Sequence, residues 1–361
     1  TGKKVNLQQI QYIFMALLLM SSSVAGAEEH HITTYASYTG ESVSNIRGGQ
    51  AEGSSFLGTA DVSVQLDLPS GGTWFAEVLF NHGQNPSDFI GDMQGVSNIA
   101  DKGGVRLLQL WYQHRWHEKN SLTIGWHDLN SEFYVSGHAS LFTNASFSIG
   151  PEITGNVPTS SWPETGLGVR FERRNEHHYY HLEVYGGNPA SKSIDVTNDG
   201  LMWIAEAAHL VEDSTYKLGA WLHTADKAAP DGQVYDKDYG VYMVLDYVVD
   251  DTWGLFLQAG KTPNDRNDIA NYIGLGLHVH GVFAGRGHDV LGLAVASAGF
   301  SPLYQSAHNL ASAETVVEIT YEIAVTDHLS VHPAYQWVQY PSGDKTLAAA
   351  NVAILRLAMD I

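Results

Sequence analysis

The chain has 361 residues, no cysteine, and 39 acidic against 19 basic side chains, which gives a formal net charge of −20. This acidic balance argues against a nucleic-acid partner, because proteins that bind DNA or RNA neutralise phosphates with lysine and arginine. Without cysteine there is neither a disulfide framework nor thiolate chemistry, so packing and hydrogen bonding must stabilise the fold.

A secretory signal peptide is predicted over residues 1–27. Two lysines, Lys3 and Lys4, precede an apolar run from Ile10 to Met20, and small residues end the segment at Ala27. The alternative is a membrane anchor, which needs roughly 20 apolar residues. The run is shorter than that and no basic residues follow it, so we expect a cleaved signal and an exported chain.

Alternating apolar and polar residues predict about sixteen β-strands in the rest of the chain. They are predicted near 31–39, 57–68, 73–82, 105–116, 121–129, 167–174, 178–186, 202–210, 215–224, 239–249, 252–261, 271–281, 289–299, 313–325, 328–339 and 346–358. Long gaps, beginning with 40–56, 83–104 and 130–166, alternate with short ones of a few residues. The pattern predicts one transmembrane antiparallel β-barrel over 28–361, with long extracellular loops and short periplasmic turns.

Single strands separate a lipid face from a lumenal face, because successive side chains point to opposite sides. Ile319 and Tyr321 should face lipid, whereas Glu318 and Glu322 should face the lumen. A soluble β-sandwich has the same period. The signal peptide, the alternating gaps and the tryptophans near strand ends favour the membrane barrel, since such rings suit membrane interfaces.

The gap near residues 130–166 is predicted to fold into the lumen as a constriction. A barrel of about sixteen strands encloses an aqueous channel, so a segment inside it would decide what passes. The gap is far longer than a surface turn needs. It also carries rings such as Phe133, Phe142 and Phe147, which gain nothing from exposure to water. The alternative is a lid packed above the rim.

Several ordered motifs resemble those of a known family. They are Asn81-His82-Gly83, GDMQGVSNI from Gly91 to Ile99, GWHDLNSEF from Gly125 to Phe133, and LFTNASFSIGPE from Leu141 to Glu152. Over the mature chain these blocks resemble the carbohydrate-selective porins of the OprB family. The resemblance implies a sixteen-stranded porin in the outer membrane of a Gram-negative bacterium, through which monosaccharides, glucose above all, diffuse into the periplasm.

A sugar in such a channel needs aromatic faces for its ring and hydrogen-bonding groups for its hydroxyls, held loosely enough to let it leave. Strand alternation and the long gap supply the candidate pore-lining residues. The preferred ones are Arg115, Arg170, Trp111 and Trp162. The others are Gln109, Gln113, Asn81, His127, Asp128, Asn130, Glu132, Glu183, Tyr185 and Trp221. Arg106 is a reserve candidate, because its alternation parity places it on the lipid face although it lies near a strand end.

Two groups of histidines raise the question of a metal. His278 and His280 share one strand face and could hold a cation between neutral imidazoles, but the sequence names no third ligand. His177, His178 and His181 form a second group, of which the first two lie in a tight turn. We expect neither a metal nor a cofactor.

The expected partners are monosaccharides, the lipid and lipopolysaccharide of the outer membrane, and the barrel assembly machinery, with the chain acting as a monomer or a homotrimer. One alternative is an outer-membrane enzyme such as a lipid hydrolase. The sequence contains no Gly-x-Ser-x-Gly motif, so no enzymatic activity is expected. The other alternative is a lectin or adhesin barrel that binds sugar without conducting it.

Overall fold

The structure, a computed structural model, describes residues 31–360. The predicted signal peptide, residues 1–27, lies outside the described residues. Sixteen antiparallel strands close into one barrel. They are β1 His31–Arg47, β2 Gly53–Asp67, β3 Gly72–His82, β4 Gly104–Trp116, β5 Asn120–His127, β6 Gly166–Arg174, β7 His178–Gly186, β8 Leu201–Val211, β9 Ser214–His223, β12 Asp238–Val248, β13 Trp253–Lys261, β14 Ile269–His280, β15 Val290–Phe300, β16 Ala313–Thr326, β17 Leu329–Gln339 and β18 Ala350–Asp360.

The remaining elements lie in the connections between barrel strands. A short hairpin of β10 Lys227–Ala228 and β11 Val234–Tyr235 follows β9. The α-helices are α1 Ser87–Ile90, α2 Pro151–Thr154 and α3 Pro302–His308. Single 3-10 turns span Leu129–Ser131, Ala139–Leu141, Ala145–Phe147, Pro189–Ser191 and Pro341–Gly343. Among the described residues, no helix combines the length and the apolar character needed to cross a bilayer.

The predicted fold class is confirmed, but the predicted loop at residues 40–56 is wrong. The residues at 40–56 were expected to form a long loop, but only residues 48–52 separate β1 from β2. Gly40, Ser42 and Ser44 pair in register with both β2 and β18. Such small residues have weak strand preference by themselves, and pairing on both sides overrides it.

The outward face of the barrel is apolar. Ile319 is 48% exposed and Leu218 is 66% exposed, while Glu318 on the opposite face of β16 is fully buried. Trp74 and Trp253, near strand ends, are also exposed on this face. Exposed apolar surface of this extent marks a face that contacts lipid, and rings at its edges are typical of membrane girdles.

The first and last strands are joined by a buried ion pair as well as by backbone hydrogen bonds. Glu41 of β1 and Arg356 of β18 stand opposite each other in the register, and the Arg356 guanidinium contacts the Glu41 carboxylate. The hydroxyl of Ser97 donates to the second oxygen of Glu41 at 2.5 Å. The seam where the barrel closes is therefore bound to the connection that follows β3.

Two connections lie inside the barrel. We call residues 128–165, between β5 and β6, the inner segment, and residues 83–103, between β3 and β4, the companion segment. Rings of the inner segment are buried against wall residues: Tyr134 packs on Tyr242, with ring centroids 4.7 Å apart. Phe142 packs on Phe256, with centroids 5.6 Å apart. This packing fills the half of the lumen that faces the later strands.

Carboxylates on the wall hold the backbone of both segments. Glu318 accepts hydrogen bonds from the backbone N–H of Thr143 at 2.7 Å and of Asn144 at 3.1 Å. Glu314 accepts from the backbone N–H groups of Met93 and Gln94, both at 2.9 Å.

Two further carboxylates act in the same way nearer the periplasmic end. Glu206 accepts from the backbone N–H of Tyr134 at 2.9 Å, and Asp246 accepts from that of Gly137 at 2.9 Å. Non-helical backbone inside a barrel needs partners for its polar groups, and these four acids provide them.

Replacing Glu318 with glutamine tests this anchoring. The amide can accept only with its oxygen, so a backbone N–H of the inner segment loses its partner, at a cost of about 1.5–3 kcal/mol for a hydrogen bond to a charged group. We expect a larger and noisier single-channel conductance, and faster protease cleavage within residues 128–165. The control is Glu322→Gln, on the same face of β16 but nearer the periplasm. Equal conductance and cleavage in the wild type and Glu318→Gln would contradict the anchoring role.

Candidate functional site

Open space in the lumen lies along the early strands. Inward side chains that remain partly exposed to water follow one another on β2, β3 and β4, whereas those of the later strands are mostly covered by the inner segment. The partly exposed residues are Asp61, Gln65, Phe75, Glu77, Gln109, Trp111 and Gln113, and Arg115 at the end of the row is exposed. The channel therefore runs off the barrel axis, between this wall and the inner segment.

An aromatic pair stands in the middle of this wall. Trp111 of β4 stacks on Phe75 of β3, with ring centroids 4.9 Å apart and planes at 17°. The indole N–H of Trp111 donates to Gln109 at 3.3 Å, and the Gln109 amide donates to Glu77 at 2.6 Å. The arrangement presents a flat apolar platform beside a row of fixed hydrogen-bonding groups.

A cavity of about 420 Å³ opens beside Trp111 at the periplasmic end of the wall. Its polar lining comes from Gln65, Asp67, Thr73, Gln113 and Arg115. Its volume lies within the about 300–1,000 Å³ typical of small-molecule sites. An apolar platform with donors and acceptors around it suits a small polyhydroxylated ring.

Arg170 links the wall to the inner segment. Its guanidinium lies 2.9 Å from the Glu132 carboxylate, and its side chain is only 5% exposed. Nearby, His181 Nε2 lies 2.8 Å from Glu172. Glu132, Glu172 and His181 bring ligand atoms within 4.8 Å of one another and could hold a metal ion. Arg170 already places a positive charge beside the Glu132 carboxylate, so the negative charge of this cluster is compensated without a metal ion.

Several candidates face inward but are buried away from the channel. His127 and Glu183 are both about 1% exposed and contact each other. Tyr185 packs beside them, its ring centroid 5.1 Å from that of His127. Trp221 is 3% exposed and belongs to the packed core. Asn81 is also 3% exposed. These side chains support the wall and do not line the open space.

Arg106, the reserve candidate, faces the lumen although simple alternation puts it on the lipid face. A β-bulge shifts the register between β3 and β4, so that Glu77 pairs with Gln109 but Val78 pairs with Leu107. A bulge inserts one residue and inverts the alternation beyond it. Arg106 therefore faces the lumen, where it lies 2.6 Å from Asp101 and 3.4 Å from Glu164 of the inner segment.

The candidates within the inner segment lie where it leaves β5 and where it returns to β6. Asp128 accepts from the backbone N–H of Asn130 at 2.8 Å. The Asn130 amide donates to the carbonyl of Ser148 at 2.9 Å. Trp162 is half-buried in the returning part of the segment. Asp128 and Asn130 thus fix the local fold of the segment where it leaves β5.

Sequence reasoning missed part of the open wall. Phe75 is not among the sequence candidates, yet it shares the inward face of β3 with Glu77. Alternation along β3 does place Phe75 inside, and this signal could have found it. Asp67 and Thr73 lie beside a short turn, where no pattern marks them; Thr73 donates to Asp67 at 2.7 Å.

The family model described as "Carbohydrate-selective porin, OprB family" matches residues 58–360. The chain belongs to this family. Porin B of Pseudomonas aeruginosa is 24% identical to it, over 89% of this chain and 85% of that protein. The OprB-family resemblance found in the sequence motifs is thereby confirmed.

Solved structures show the same fold. The high-pH structure of Pseudomonas putida OprB has a TM-score of 0.83 at 18% identity and covers 97% of both chains. The low-pH structure of that protein has a TM-score of 0.60 at 15% identity, covering 97% of this chain and 96% of that one. The outer-membrane channel DcaP of Acinetobacter baumannii has a TM-score of 0.62 at 11% identity, covering 93% and 99%.

This OprB-family chain is a carbohydrate-selective porin of the Gram-negative outer membrane. Its family and its relatives are transport channels, so the protein is a channel and not an enzyme. The family also fits the geometry, because a stacked aromatic pair flanked by polar side chains lines the open part of the lumen.

The inner segment of the porin contains a buried acid with a displaced pKa. Glu152 in α2 is fully buried, and the hydroxyl of Tyr134 donates to it at 3.0 Å. Burial raises the pKa of Glu152 from 4.5 to about 7. The folded state therefore holds a proton that the unfolded state releases between these two values.

This difference predicts that stability falls as pH rises from 4.5 to about 7, and that the loss is complete above that range. Glu152→Gln keeps the acceptor for Tyr134 but removes the ionisation. We expect the variant to show a smaller decrease in Tm than the wild type between pH 4.5 and pH 8, measured by circular dichroism in detergent. Glu176→Gln, in an exposed turn, is the control. Parallel Tm curves for the wild type and Glu152→Gln would contradict the assignment.

Proposed function

We propose that the porin is a passive channel that admits monosaccharides of the glucose type into the periplasm. The proposal rests on the stacked pair of Trp111 and Phe75 and on the hydrogen-bonding side chains beside it. The apolar face of a pyranose ring packs on an aromatic platform. Its hydroxyls exchange hydrogen bonds with the carboxylates, amides and guanidinium that line the same wall.

The dimensions support a single sugar ring as the unit that passes. The inner segment and the companion segment occupy the rest of the lumen, so a solute must move along the wall of β2, β3 and β4. The cavity beside Trp111 has about 420 Å³. No energy source is needed, because weak binding along an open path lets a solute follow its concentration gradient.

We also propose that the inner segment is the constriction. Arg170 and Arg106 tie it to the wall through Glu132 and Glu164. Arg115 is exposed at the periplasmic mouth. The other expected partners are still predictions. Lipid and lipopolysaccharide would contact the apolar outward face, and the assembly machinery would insert the barrel. The porin would act as a monomer or a homotrimer.

Removing the aromatic platform tests the proposal. In Trp111→Ala, the loss of one ring should weaken binding by about 0.5–1.5 kcal/mol, which is roughly twofold to tenfold in the glucose concentration that half-blocks the current. Planar-bilayer recordings with added glucose give this value, and liposome swelling in glucose gives the flux. Trp203→Ala is the matched control, because Trp203 is 40% exposed on the outward face.

The charged end of the path is tested separately. Arg115→Gln should weaken the glucose block, whereas Arg173→Gln, an exposed position outside the channel wall, should leave it unchanged. Arg170 is unsuitable here because its removal would also release Glu132 of the inner segment. A wild-type protein that binds glucose but causes no swelling would be a lectin barrel, and the proposed function would fail.

A further inference from the structure

We propose that His138, His278 and His280 form a binding site for one divalent transition-metal ion, such as Zn²⁺, at the periplasmic end of the lumen. His278 and His280 lie on the inward face of β14, whose last residue is His280. His138 belongs to the inner segment. The sequence offers only the pair on β14, and the fold supplies the third imidazole.

The rings already lie at nearly the spacing that a shared ion requires. The centroids of His138 and His278 are 4.3 Å apart, and those of His278 and His280 are 5.0 Å apart. A zinc ion binds imidazole nitrogens at about 2.0–2.1 Å with tetrahedral geometry. With tetrahedral geometry, rings that share one such ion have centroids about 5 Å apart, so both separations fit a shared ion once the ring nitrogens rotate toward it.

The backbone of the neighbouring strand leaves room for the rings. Gly254 of β13 stands opposite His278 in the register. A Cβ at Gly254 would collide with His278 Nε2 and would also meet Cε1 of His138 within 3 Å. Nε2 of His278 and the nitrogen-bearing edge of His138 therefore approach the same point, over a residue that has no side chain.

The imidazole of His138 has a free lone pair to offer. Its Nε2 is buried and has no hydrogen-bond partner among the described residues. A neutral imidazole binds a metal ion through such a nitrogen. An unpartnered buried nitrogen calls for an explanation, and an ion supplies one.

The surroundings favour a cation at this point. Asp246 accepts from the Ser136 hydroxyl and from the backbone N–H of Gly137, which fixes the chain just before His138. The acid also adds negative charge near the rings. The cluster of Glu132, Glu172 and His181 differs, because Arg170 already occupies it. His280 is exposed, so an ion has access from the periplasmic mouth.

A metal at this site would join the inner segment to the wall, because one ligand comes from the segment and two come from β14. A bound ion should slow local opening of the segment. The site lies on β14, which is on the opposite side of the barrel from Trp111 of β4, and metal binding can be measured by itself. Its test therefore needs neither glucose nor flux.

The experiment is calorimetric titration of the detergent-solubilised, EDTA-treated porin with ZnCl₂ alone. We expect one ion per chain, and at least tenfold weaker binding in His280→Ala, whose exposed position at the end of β14 should leave folding intact. His278→Ala and His138→Ala should show the same loss. The control is His82→Ala, which removes a histidine surrounded by Tyr38, Phe56 and Phe80.

A second readout does not depend on affinity. Protease cleavage within residues 128–165 should slow when Zn²⁺ is added to the wild type, and should not change in His280→Ala. A visible absorption band of bound Co²⁺ typical of tetrahedral coordination would support the site. The proposal is overturned if the wild type binds no Zn²⁺, or if His280→Ala and His138→Ala bind it as tightly as the wild type.

Discussion

The porin depends on a small set of wall carboxylates that accept hydrogen bonds from irregular backbone inside the barrel. Glu206, Asp246, Glu314 and Glu318 are each at most 8% exposed, and each takes backbone N–H groups from the inner segment or the companion segment. A buried charge is costly unless it is hydrogen-bonded, and an unpaired backbone amide is costly as well. Each carboxylate and its backbone N–H therefore satisfy each other's hydrogen-bonding requirement. This attachment positions the segments so that their rings pack against the wall.

The architecture was largely predictable because the bilayer allows so few solutions. Alternation of side chains and of gap lengths predicted sixteen strands and the positions of the short turns between them. The loop predicted at residues 40–56 was wrong for a local reason. Glycine and serine have weak strand preference, so Gly40, Ser42 and Ser44 resemble a loop in the sequence. Their pairing with β2 and β18 comes from barrel closure, which no window of sequence contains.

The channel wall was predictable only in part. Alternation along β4 predicted Gln109, Trp111, Gln113 and Arg115, and all four side chains are partly or fully exposed in the lumen. Alternation alone put Arg106, the reserve candidate, on the lipid face, because a single extra residue in β4 inverts the pattern. A side chain that faces inward is also not always exposed to water. Alternation places Trp221 on the inward face, but the inner segment covers it, and the path of that segment is not visible in the strand pattern. The role of Glu318 as an anchor likewise required its partners Thr143 and Asn144, which lie some 175 residues away in the sequence.

The off-axis position of the channel divides the barrel into two parts with different tolerance for change. On the strands after β7, an inward side chain is a component of a packed interior, so its replacement should be judged by the volume and hydrogen bonds it leaves behind. On β2, β3 and β4, the inward side chains border moving solute, and replacement there alters what the pore accepts. A designer who wished to retarget the porin to another small solute could therefore rebuild three neighbouring strands and leave the scaffold intact.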